Sequence, residues 1–248
     1  MALFEAKGLH KRFGDRVVLE SIDLAFEAGT LTGIMGPNGA GKTTCFHCLT
    51  GFHRPDRGRI VFDGEEIGGR KPHEIVARGV ARSFQAISLF DADTVLDNVV
   101  VALPQVRERA ADPWGDLARD SEAQDRAASV LARVGLAGRE RVKAKDLAYG
   151  ERRALEIALA LASGPRILFL DEPTSGLGPD GTARLAELVA ELKRSLTLVI
   201  IEHDMRFLFG LADTIAVIHW GQVIAGGTPQ ALRDNPWVAR SALAEIAC

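Results

Sequence analysis

Residues 31–49, LTGIMGPNGAGKTTCFHCL, join an apolar run to a glycine-rich turn and then to a segment of helical character. The turn fits the spacing G-x-x-x-x-G-K-[ST] in the context that this pattern requires, after a strand and before a helix. Glycines let the backbone curl so that successive N–H groups converge on phosphate oxygens, and the helix adds the positive end of its dipole. The stretch predicts a phosphate-binding loop.

Two side chains of this loop carry the expected chemistry. Lys42 is expected to reach the terminal phosphates of a nucleotide, and the Thr43 hydroxyl is expected to bind Mg²⁺. Glycine-rich turns are common, so the match alone could be accidental, and a second motif is needed to support it. The predicted nucleotide-binding residues of the loop are Gly36, Pro37, Asn38, Gly39, Ala40, Gly41, Lys42, Thr43 and Thr44.

The second motif is an apolar run that ends in two adjacent carboxylates, ILFLDEP at residues 167–173. The carboxyl end of a strand is where an open parallel sheet presents ligand-binding groups. We expect Asp171 to hold Mg²⁺, through water, and Glu172 to orient or deprotonate the water that attacks the terminal phosphate. An acidic strand end that merely faces solvent is the alternative interpretation, and the phosphate loop makes it the weaker one.

Two further polar residues follow apolar runs. Gln85 comes after VARSF, and His203 comes after LVIIE. A lone histidine is more often a structural residue than a catalytic one. Because both residues stand at the ends of predicted strands, we treat them as candidate site residues. The family resemblance given below implies that both act with Glu172 in catalysis and that Gln85, with Thr43 and Asp171, binds Mg²⁺.

The hydrophobic pattern changes along the chain. Short extended runs separated by turns occupy the first part, at residues 3–6, 17–19, 22–26, 31–35 and 59–62, and several of them are predicted to be antiparallel strands. Apolar spacings of three and four from Asp93 to about Ser163 predict a helical subdomain. Alternating strand and helix patterns follow, and their near-continuous apolar strands predict a parallel sheet that is covered on both faces.

Composition excludes several classes of protein. The 248 residues are 47% hydrophobic and 25% charged, which is typical of a globular chain with a full core. The formal net charge of −3 provides no general attraction for nucleic acid, so no nucleic-acid partner is expected. The longest apolar runs fall far short of the ~20 residues of a spanning helix, and charges near the start argue against a secretory peptide.

In order and spacing, these motifs resemble the nucleotide-binding subunits of ATP-binding-cassette (ABC) transporters over almost the whole chain. The loop at 36–43 is similar to Walker A, 168–172 to Walker B, Gln85 to the Q-loop glutamine and His203 to the switch histidine. The cofactors that this resemblance implies are ATP and Mg²⁺. Phe13 stands where the family places an aromatic ring that stacks on adenine, although a core phenylalanine at a strand end is the alternative.

The resemblance also gives a role to DLAYGERRALEI, residues 146–157, which would otherwise be interpreted as a simple helix start. Residues 147–151 of this stretch are similar to the signature motif of the family. In this family two cassettes join head to tail, and the signature of one covers the ATP of the other. Ala148, Tyr149, Gly150 and Glu151 would then contact the partner's ATP. A turn at Gly150 would allow close backbone approach, and the helix behind it would direct N–H groups toward the γ-phosphate.

The signature departs from the common family form L-S-G-G-Q at three positions, Ala148, Tyr149 and Glu151. Loss of the serine hydroxyl costs about 0.5–1.5 kcal/mol for a neutral hydrogen bond, so we expect at most a weakened contact. A second departure is Gly178, in S-G-L-G, where many cassettes have an aspartate. Its absence puts the communication between the two ATP sites in doubt. Since Glu172 and His203 are present, we expect the chain to hydrolyse ATP.

The resemblance implies an α/β fold of the P-loop NTPase class, with a mixed-sheet core, an antiparallel β subdomain and an inserted α-helical subdomain. We assign residues 1–92 and 164–240 to the core and the β subdomain, and 93–163 to the helical subdomain. Residues 241–248 form a tail whose role the sequence does not indicate.

Segments such as LAYGERRALEIALAL and GLGPDG are similar to ATPase subunits of bacterial branched-chain amino-acid importers. The resemblance implies two integral-membrane permease subunits, a second ATPase that is identical or related, an external solute-binding protein, and a peripheral location on the cytoplasmic face of the inner membrane. A groove near residues 84–90 would couple to the permease, with Ile87, Leu89 and Phe90 as candidate contacts or as ordinary core residues.

Four alternatives remain beside this interpretation. Related importers for urea, other amides or other amino acids share much of the pattern. A guanine-nucleotide switch would need an N-K-x-D motif, which is missing, and a soluble non-transport cassette protein usually carries two cassettes or a long coiled-coil insertion. A non-hydrolysing regulatory or binding module is disfavoured by Glu172 and His203.

Overall fold

The computed structural model describes residues 2–83, 89–109, 120–233 and 235. In the described residues the strands are β1 Ala2–Phe13, β2 Arg16–Glu27, β3 Leu31–Met35, β4 Arg57–Phe62, β5 Glu65–Glu66, β6 Val80–Arg82, β7 Ile167–Asp171, β8 Thr197–Ile201, β9 Thr214–His219 and β10 Gln222–Gly227. The helices are α1 Lys42–Leu49, α2 Pro72–Ala77, α3 Val95–Val100, α4 Pro104–Arg109, α5 Ser121–Arg133, α6 Tyr149–Ala162, α7 Pro179–Leu192, α8 Met205–Leu211 and α9 Pro229–Arg233.

The ten strands form one mixed sheet in the order β5-β4-β1-β2-β10-β9-β3-β8-β7-β6. Strands β5, β4, β1 and β2 are antiparallel to one another, whereas β9, β3, β8, β7 and β6 are parallel. A single residue pair, Gln222 with Ser21, joins the two parts. The predicted α/β fold with a parallel core and an antiparallel β part is confirmed.

The first two strands are longer than the short runs that the sequence predicted. Each spans 12 residues, and register shifts interrupt their pairing. β-Bulges leave an extra residue unpaired and reverse the inside–outside alternation, so one continuous strand reads as two short ones. The sequence pattern therefore divided β2 at a point where the strand only bends.

Residues 95–162 contain helices α3 to α6 and a short 3₁₀ turn, Ala144–Asp146, among the described residues. Helix α5 packs against α3 and α6, which makes a small helical layer beside the sheet. Thr94 caps α3 by accepting a hydrogen bond from the Asp97 N–H group. In the described parts of the chain, no helix has both the length and the apolarity that crossing a bilayer would require.

The parallel strands have a hydrophobic layer on each face, as the near-continuous apolar runs predict. Alternate residues of β7 belong to different clusters: Leu168 and Leu170 pack with the helical layer, whereas Ile167 and Phe169 pack with α1 and the antiparallel strands. The ring of Phe169 lies 5.4 Å, 5.9 Å and 5.8 Å from the rings of Phe4, Phe26 and Phe46, measured between centroids. This residue therefore joins β1, β2 and α1 to the strand that carries Asp171.

We predict that Phe169→Ala lowers the free energy of unfolding by about 3–5 kcal/mol, because a fully buried ring is lost and a cavity remains. Denaturant unfolding followed by circular dichroism measures the change. Val17→Ala, at a position that is 51% exposed in β2, is the control and should change stability by less than about 0.5 kcal/mol. Equal effects of the two substitutions would contradict the assignment of Phe169 to a shared core.

Candidate nucleotide-binding and hydrolysis site

The phosphate loop leaves the carboxyl end of β3 and enters α1. Gly36 passes so close to strand β9 that a Cβ atom there would lie 2.0 Å from the carbonyl oxygen of Ile218, so only glycine fits. Gly41 precedes α1 in the left-handed conformation, and the helix begins at Lys42. The sequence prediction of strand, glycine loop and helix is confirmed at this point.

Lys42 is buried, and its Nζ atom donates hydrogen bonds to the carbonyl oxygens of Gly36, at 2.7 Å, and Pro37, at 3.0 Å. Burial lowers the pKa of the Lys42 ammonium, and the nearby carboxylates of Glu172 and Asp171 act in the opposite direction. A poorly solvated cation inside a ring of backbone groups fits an anionic ligand such as a nucleotide phosphate. The Thr43 side chain beside it is exposed, and Thr44 is partly exposed.

Asp171 and Glu172 stand at the end of β7, next to the end of β8, because Asp171 pairs with Ile201 in the parallel register. Burial and the neighbouring Glu172 carboxylate raise the pKa of Asp171 to about 6, although Arg82 and Arg153 partly oppose this shift. Two adjacent carboxylates in a partly buried position repel each other, and a hard divalent cation relieves that repulsion through oxygen ligands. Together with the accessible hydroxyl of Thr43, these groups fit Mg²⁺.

Glu172 adopts a left-handed backbone conformation, with φ of 44°, which is uncommon for a residue other than glycine. Its N–H group donates to the carbonyl oxygen of Ile201 at 2.9 Å. Its own carbonyl oxygen accepts a hydrogen bond from Nη2 of Arg153 at 3.1 Å. Strained conformations of this kind persist where the surroundings hold them on several sides, and they are concentrated at functional sites.

Two of the supporting residues were missed by the sequence analysis. Arg153 is buried in α6 and donates to three consecutive carbonyl oxygens, those of Asp171, Glu172 and Pro173. A charged residue four positions before Ile157, on the buried face of a predicted helix, was the available signal.

Glu202 is the second missed residue, and it lies directly before His203. Its fully buried carboxylate accepts hydrogen bonds from both N–H and Oγ1 of Thr174, each at 2.7 Å. The same carboxylate accepts a bond from the His203 N–H group at 3.2 Å. Glu202 thus connects the loop after β7 to His203, whose side chain is 58% exposed. An acidic residue that ends an apolar strand was the signal in the sequence.

Of two other predicted site residues, the structure describes Phe13 but not Gln85. Gln85 lies outside the described residues, as does Ile87. Phe13 ends β1 and is 46% exposed, with its ring in an edge contact with His53 at 5.3 Å between centroids. An exposed ring at a strand end could stack on a planar ligand. The alternative interpretation, that Phe13 is a core residue, is not supported, because a core ring would be buried.

The signature begins α6, with Ala148 at the N-cap position and Gly150 as the second helical residue. The prediction of a turn at Gly150 is therefore wrong, because the backbone at this residue is already helical. A Cβ atom at Gly150 would meet only a side chain of its own chain, Leu177, at an ordinary 3.8 Å. Glycine inside a helix costs about 1 kcal/mol relative to alanine, and packing among the described residues gives no reason for it.

Glu151 acts on its own helix. Its Oε2 atom accepts a hydrogen bond from the Ala148 N–H group at 3.0 Å, and its Oε1 atom forms an ion pair with Arg139 at 3.0 Å. No side chain caps the first-turn N–H groups of α6 within the described structure. The start of α6 therefore presents backbone donors and a partial positive charge.

Comparison with known proteins agrees with this arrangement of motifs. Residues 19–175, more than half of the chain, match the family described as "ABC transporter". The chain therefore belongs to the ABC transporter family, as an ATP-binding subunit with the nucleotide-binding ABC ATPase fold, and it is an ATPase.

Curated relatives match the chain almost from end to end. The branched-chain amino acid transport ATP-binding protein LivG of Escherichia coli K12 is 40% identical, and BraF of Pseudomonas aeruginosa is 41% identical; each alignment covers 98% of both chains. The lipopolysaccharide export ATP-binding protein LptB of Acidithiobacillus ferridurans is 33% identical over 95% of this chain and 94% of its own. Among solved structures, the ADP conformation of the ATP-binding cassette MJ1267 superposes with a TM-score of 0.87 at 28% identity, covering 100% of this chain and 98% of that one.

We predict that Asp171→Asn makes the ligand-free protein more stable at pH 7. The folded-state pKa of Asp171, about 6, lies above its value of about 4 in an unfolded chain, so ionisation above pH 6 disfavours the folded state. The neutral amide removes this cost and should add about 1–2 kcal/mol, or roughly 2–8 °C in Tm. Thermal unfolding in the presence of a chelator measures the gain.

The difference between Asp171→Asn and the unaltered protein should shrink as the pH falls from 7 toward 5, because the native carboxyl then becomes neutral in the folded state. A gain in Tm that does not depend on pH would contradict the electrostatic explanation. The same variant should lose Mg²⁺-dependent ATP turnover, which would show that the unfavourable charge is kept for function.

Proposed function

We propose that this protein is the ATP-hydrolysing subunit of an importer for branched-chain amino acids. The supporting observation is the identity of 40% with LivG over 98% of both chains, against 33% with LptB. The ATPase itself does not bind the transported molecule, so this substrate follows from the likeness to LivG and BraF alone. Importers for other amino acids or amides are the alternative.

The nucleotide site is proposed to use the residues at the carboxyl ends of β3, β7 and β8. The backbone of residues 36–44 and Lys42 bind the phosphates of ATP, and the ring of Phe13 stacks on adenine. Thr43, Asp171 and Gln85 hold Mg²⁺, which neutralises phosphate charge when bound. Glu172 orients the attacking water and accepts its proton, and His203 contacts the terminal phosphate from β8.

We further propose that Ala148, Tyr149, Gly150 and Glu151 cover the ATP of a second cassette, either a copy of this chain or a related ATPase. The backbone donors at the start of α6 and the unexplained glycine at position 150 support this. A side chain at Gly150 would keep a neighbouring phosphate at a distance, so a close external approach is a physical reason for glycine there. The role of Glu151 is then to cap and orient the helix.

The division of the chain follows from these roles. Residues 1–92 and 164–240 form the core with the antiparallel β subdomain, and 93–163 form a helical subdomain that carries the signature. Residues 241–248, the tail, lie outside the described residues. The assembly that we propose is peripheral, at the cytoplasmic face of the membrane, with two permease subunits and an external solute-binding protein.

A groove of about 500 Å³ between the helical layer and the core fits a helical segment of a permease. Apolar side chains from both layers line it, together with Arg82 and Glu156; the apolar contributors include Val76, Phe90, Val101, Leu159 and Ala160. Phe90 is 60% exposed, whereas Leu89 packs against the core. Phe90 therefore remains a candidate contact, and Leu89 is better explained by packing.

Glu172→Gln tests the catalytic assignment. The amide keeps the size of the side chain but cannot accept a proton, so turnover should fall roughly 10²–10⁴-fold while ATP still binds. Phosphate release and nucleotide binding are measured on the same preparation. In addition, Mg·ATP should trap this variant as a cross-linkable pair of cassettes through residues near Gly150. Robust hydrolysis by Glu172→Gln would refute the role of Glu172.

Val101→Glu tests the permease groove. A carboxylate forced into an apolar contact should weaken co-purification with membrane subunits by more than about tenfold. Ile224→Glu is the matched control, since Ile224 is 40% exposed and Val101 is 39% exposed, and Ile224 lies outside the groove. Nucleotide binding by both variants should match that of the unaltered protein. Loss of co-purification in both variants, or in neither, would contradict the proposed docking surface.

A further inference from the structure

Tyr149, the single tyrosine of the chain, links the signature to a distant loop of the core. Its hydroxyl donates a hydrogen bond to the carbonyl oxygen of Ser175 at 3.1 Å. The ring packs against Gly176, where a Cβ atom would lie 2.7 Å from the Tyr149 hydroxyl and 3.0 Å from its Cζ atom. Gly176 has a φ of 77°, so the loop leaves room for the tyrosine in two ways, by its backbone conformation and by its missing side chain.

Arg153 makes a second link, one turn further along α6. Its side chain is 4% exposed, and Nη2 donates to the carbonyl oxygens of Asp171, at 3.0 Å, and Glu172, at 3.1 Å. Nε reaches the carbonyl oxygen of Pro173 at 3.3 Å, and Nη1 pairs with Glu156 at 2.7 Å. The rigid fork of a guanidinium can hold several acceptors at once, which a lysine cannot do.

The loop between these contacts is also held from the opposite side. Thr174 donates two hydrogen bonds to the buried carboxylate of Glu202, at the end of β8. The segment from Asp171 to Gly176 is therefore fixed to α6 at both ends and to β8 in its middle. A movement of the start of α6 relative to the core must displace Glu172 or break these hydrogen bonds.

We propose that Tyr149 and Arg153 are positioning residues that transmit occupancy of the signature to Glu172 of the same chain. This rests on the proposed two-cassette arrangement, in which the signature of each chain contacts the partner's ATP. When that ATP draws the start of α6 toward the partner, the two contacts align Glu172 for the chain's own ATP. Each site then hydrolyses efficiently only when the other is filled.

Many cassettes have an aspartate at the position of Gly178 that serves communication between the two ATP sites. In this chain the contacts of Tyr149 and Arg153 take that role. Gly178 is the N-cap of α7 and offers no side-chain acceptor. The loop that it follows is nevertheless fixed to the signature through Ser175 and Gly176. The two ATP sites are thus coupled by contacts between the first two turns of α6 and residues 171–176 of the same chain.

The test measures ATP hydrolysis as a function of ATP concentration by the transporter assembly purified with this chain. Tyr149→Phe removes only the hydroxyl, and Arg153→Lys keeps the charge beside Glu156 but loses most of the carbonyl contacts. We expect each variant to lower the Hill coefficient from near 2 to about 1, and kcat about 2- to 30-fold. The affinity of the isolated full chain for ADP should stay unchanged.

Arg152→Lys is the matched control on the same helix. Arg152 donates to the carbonyl oxygen of Ala144 at 2.9 Å and forms an ion pair with Asp91 at 2.8 Å, and among the described residues it makes no hydrogen bond or ion pair with residues 171–176. This variant should keep both the Hill coefficient and kcat. A fall in thermal stability without a change in the Hill coefficient would mean that Tyr149 and Arg153 act only on the fold, and it would overturn the proposal.

The outcomes separate this inference from the proposed function. If Glu172→Gln cannot be trapped as a pair of cassettes, the two-cassette arrangement fails, and the coupling fails with it. If the pair is trapped but the unaltered assembly has a Hill coefficient of 1, or if both variants stay cooperative, only the coupling through Tyr149 and Arg153 is refuted. Loss of cooperativity in these two variants and its retention in Arg152→Lys supports the proposal.

Discussion

Ile201 pairs across the sheet with Ile34 on one side and with Asp171 on the other, and this register places three strand ends at one edge. Parallel strands present their carboxyl ends together, so the glycine loop after β3, the carboxylates of Asp171 and Glu172, and His203 lie at the same edge of the sheet although they are far apart in sequence. A slip of one residue in β7 would turn Asp171 to the other face of the sheet. Burial of all five β7 residues, on both faces, fixes the register that the chemistry needs.

The same edge stores conformational strain. Glu172 and Trp220 both have positive φ values, and the turn that contains Trp220 donates from Gly221 to the carbonyl oxygen of Ala40 in the phosphate loop. Such conformations cost about 1–3 kcal/mol each and survive only when their neighbours hold them. Arg153 and the end of β8 provide that support for Glu172. The buried polar residues around the site therefore determine the geometry of the catalytic loop.

The sequence predicted what depends on local pattern and missed what depends on distant contacts. The glycine loop at 36–43 and the carboxylates after β7 follow from spacing and strand ends, and the structure brings them together as expected. Arg153 and Glu202 could not be assigned, because their contacts with the loop after β7 form only when the tertiary fold brings that loop near. The division of β2 failed for a similar reason, since a bulge changes the alternation on which a strand is recognised.

The electrostatics of the site favours the binding of a phosphate anion together with a divalent cation. The Lys42 ammonium donates hydrogen bonds to loop carbonyl oxygens, while burial lowers the pKa of Lys42 and raises the pKa of Asp171. Both groups are thus held in surroundings that disfavour their charged forms. A nucleotide phosphate would add negative charge beside Lys42, and a divalent cation would add positive charge beside Asp171, so each would favour the charged form that burial disfavours. Because each addition relieves a different part of the imbalance, we expect nucleotide and cation to bind cooperatively to the same sheet edge.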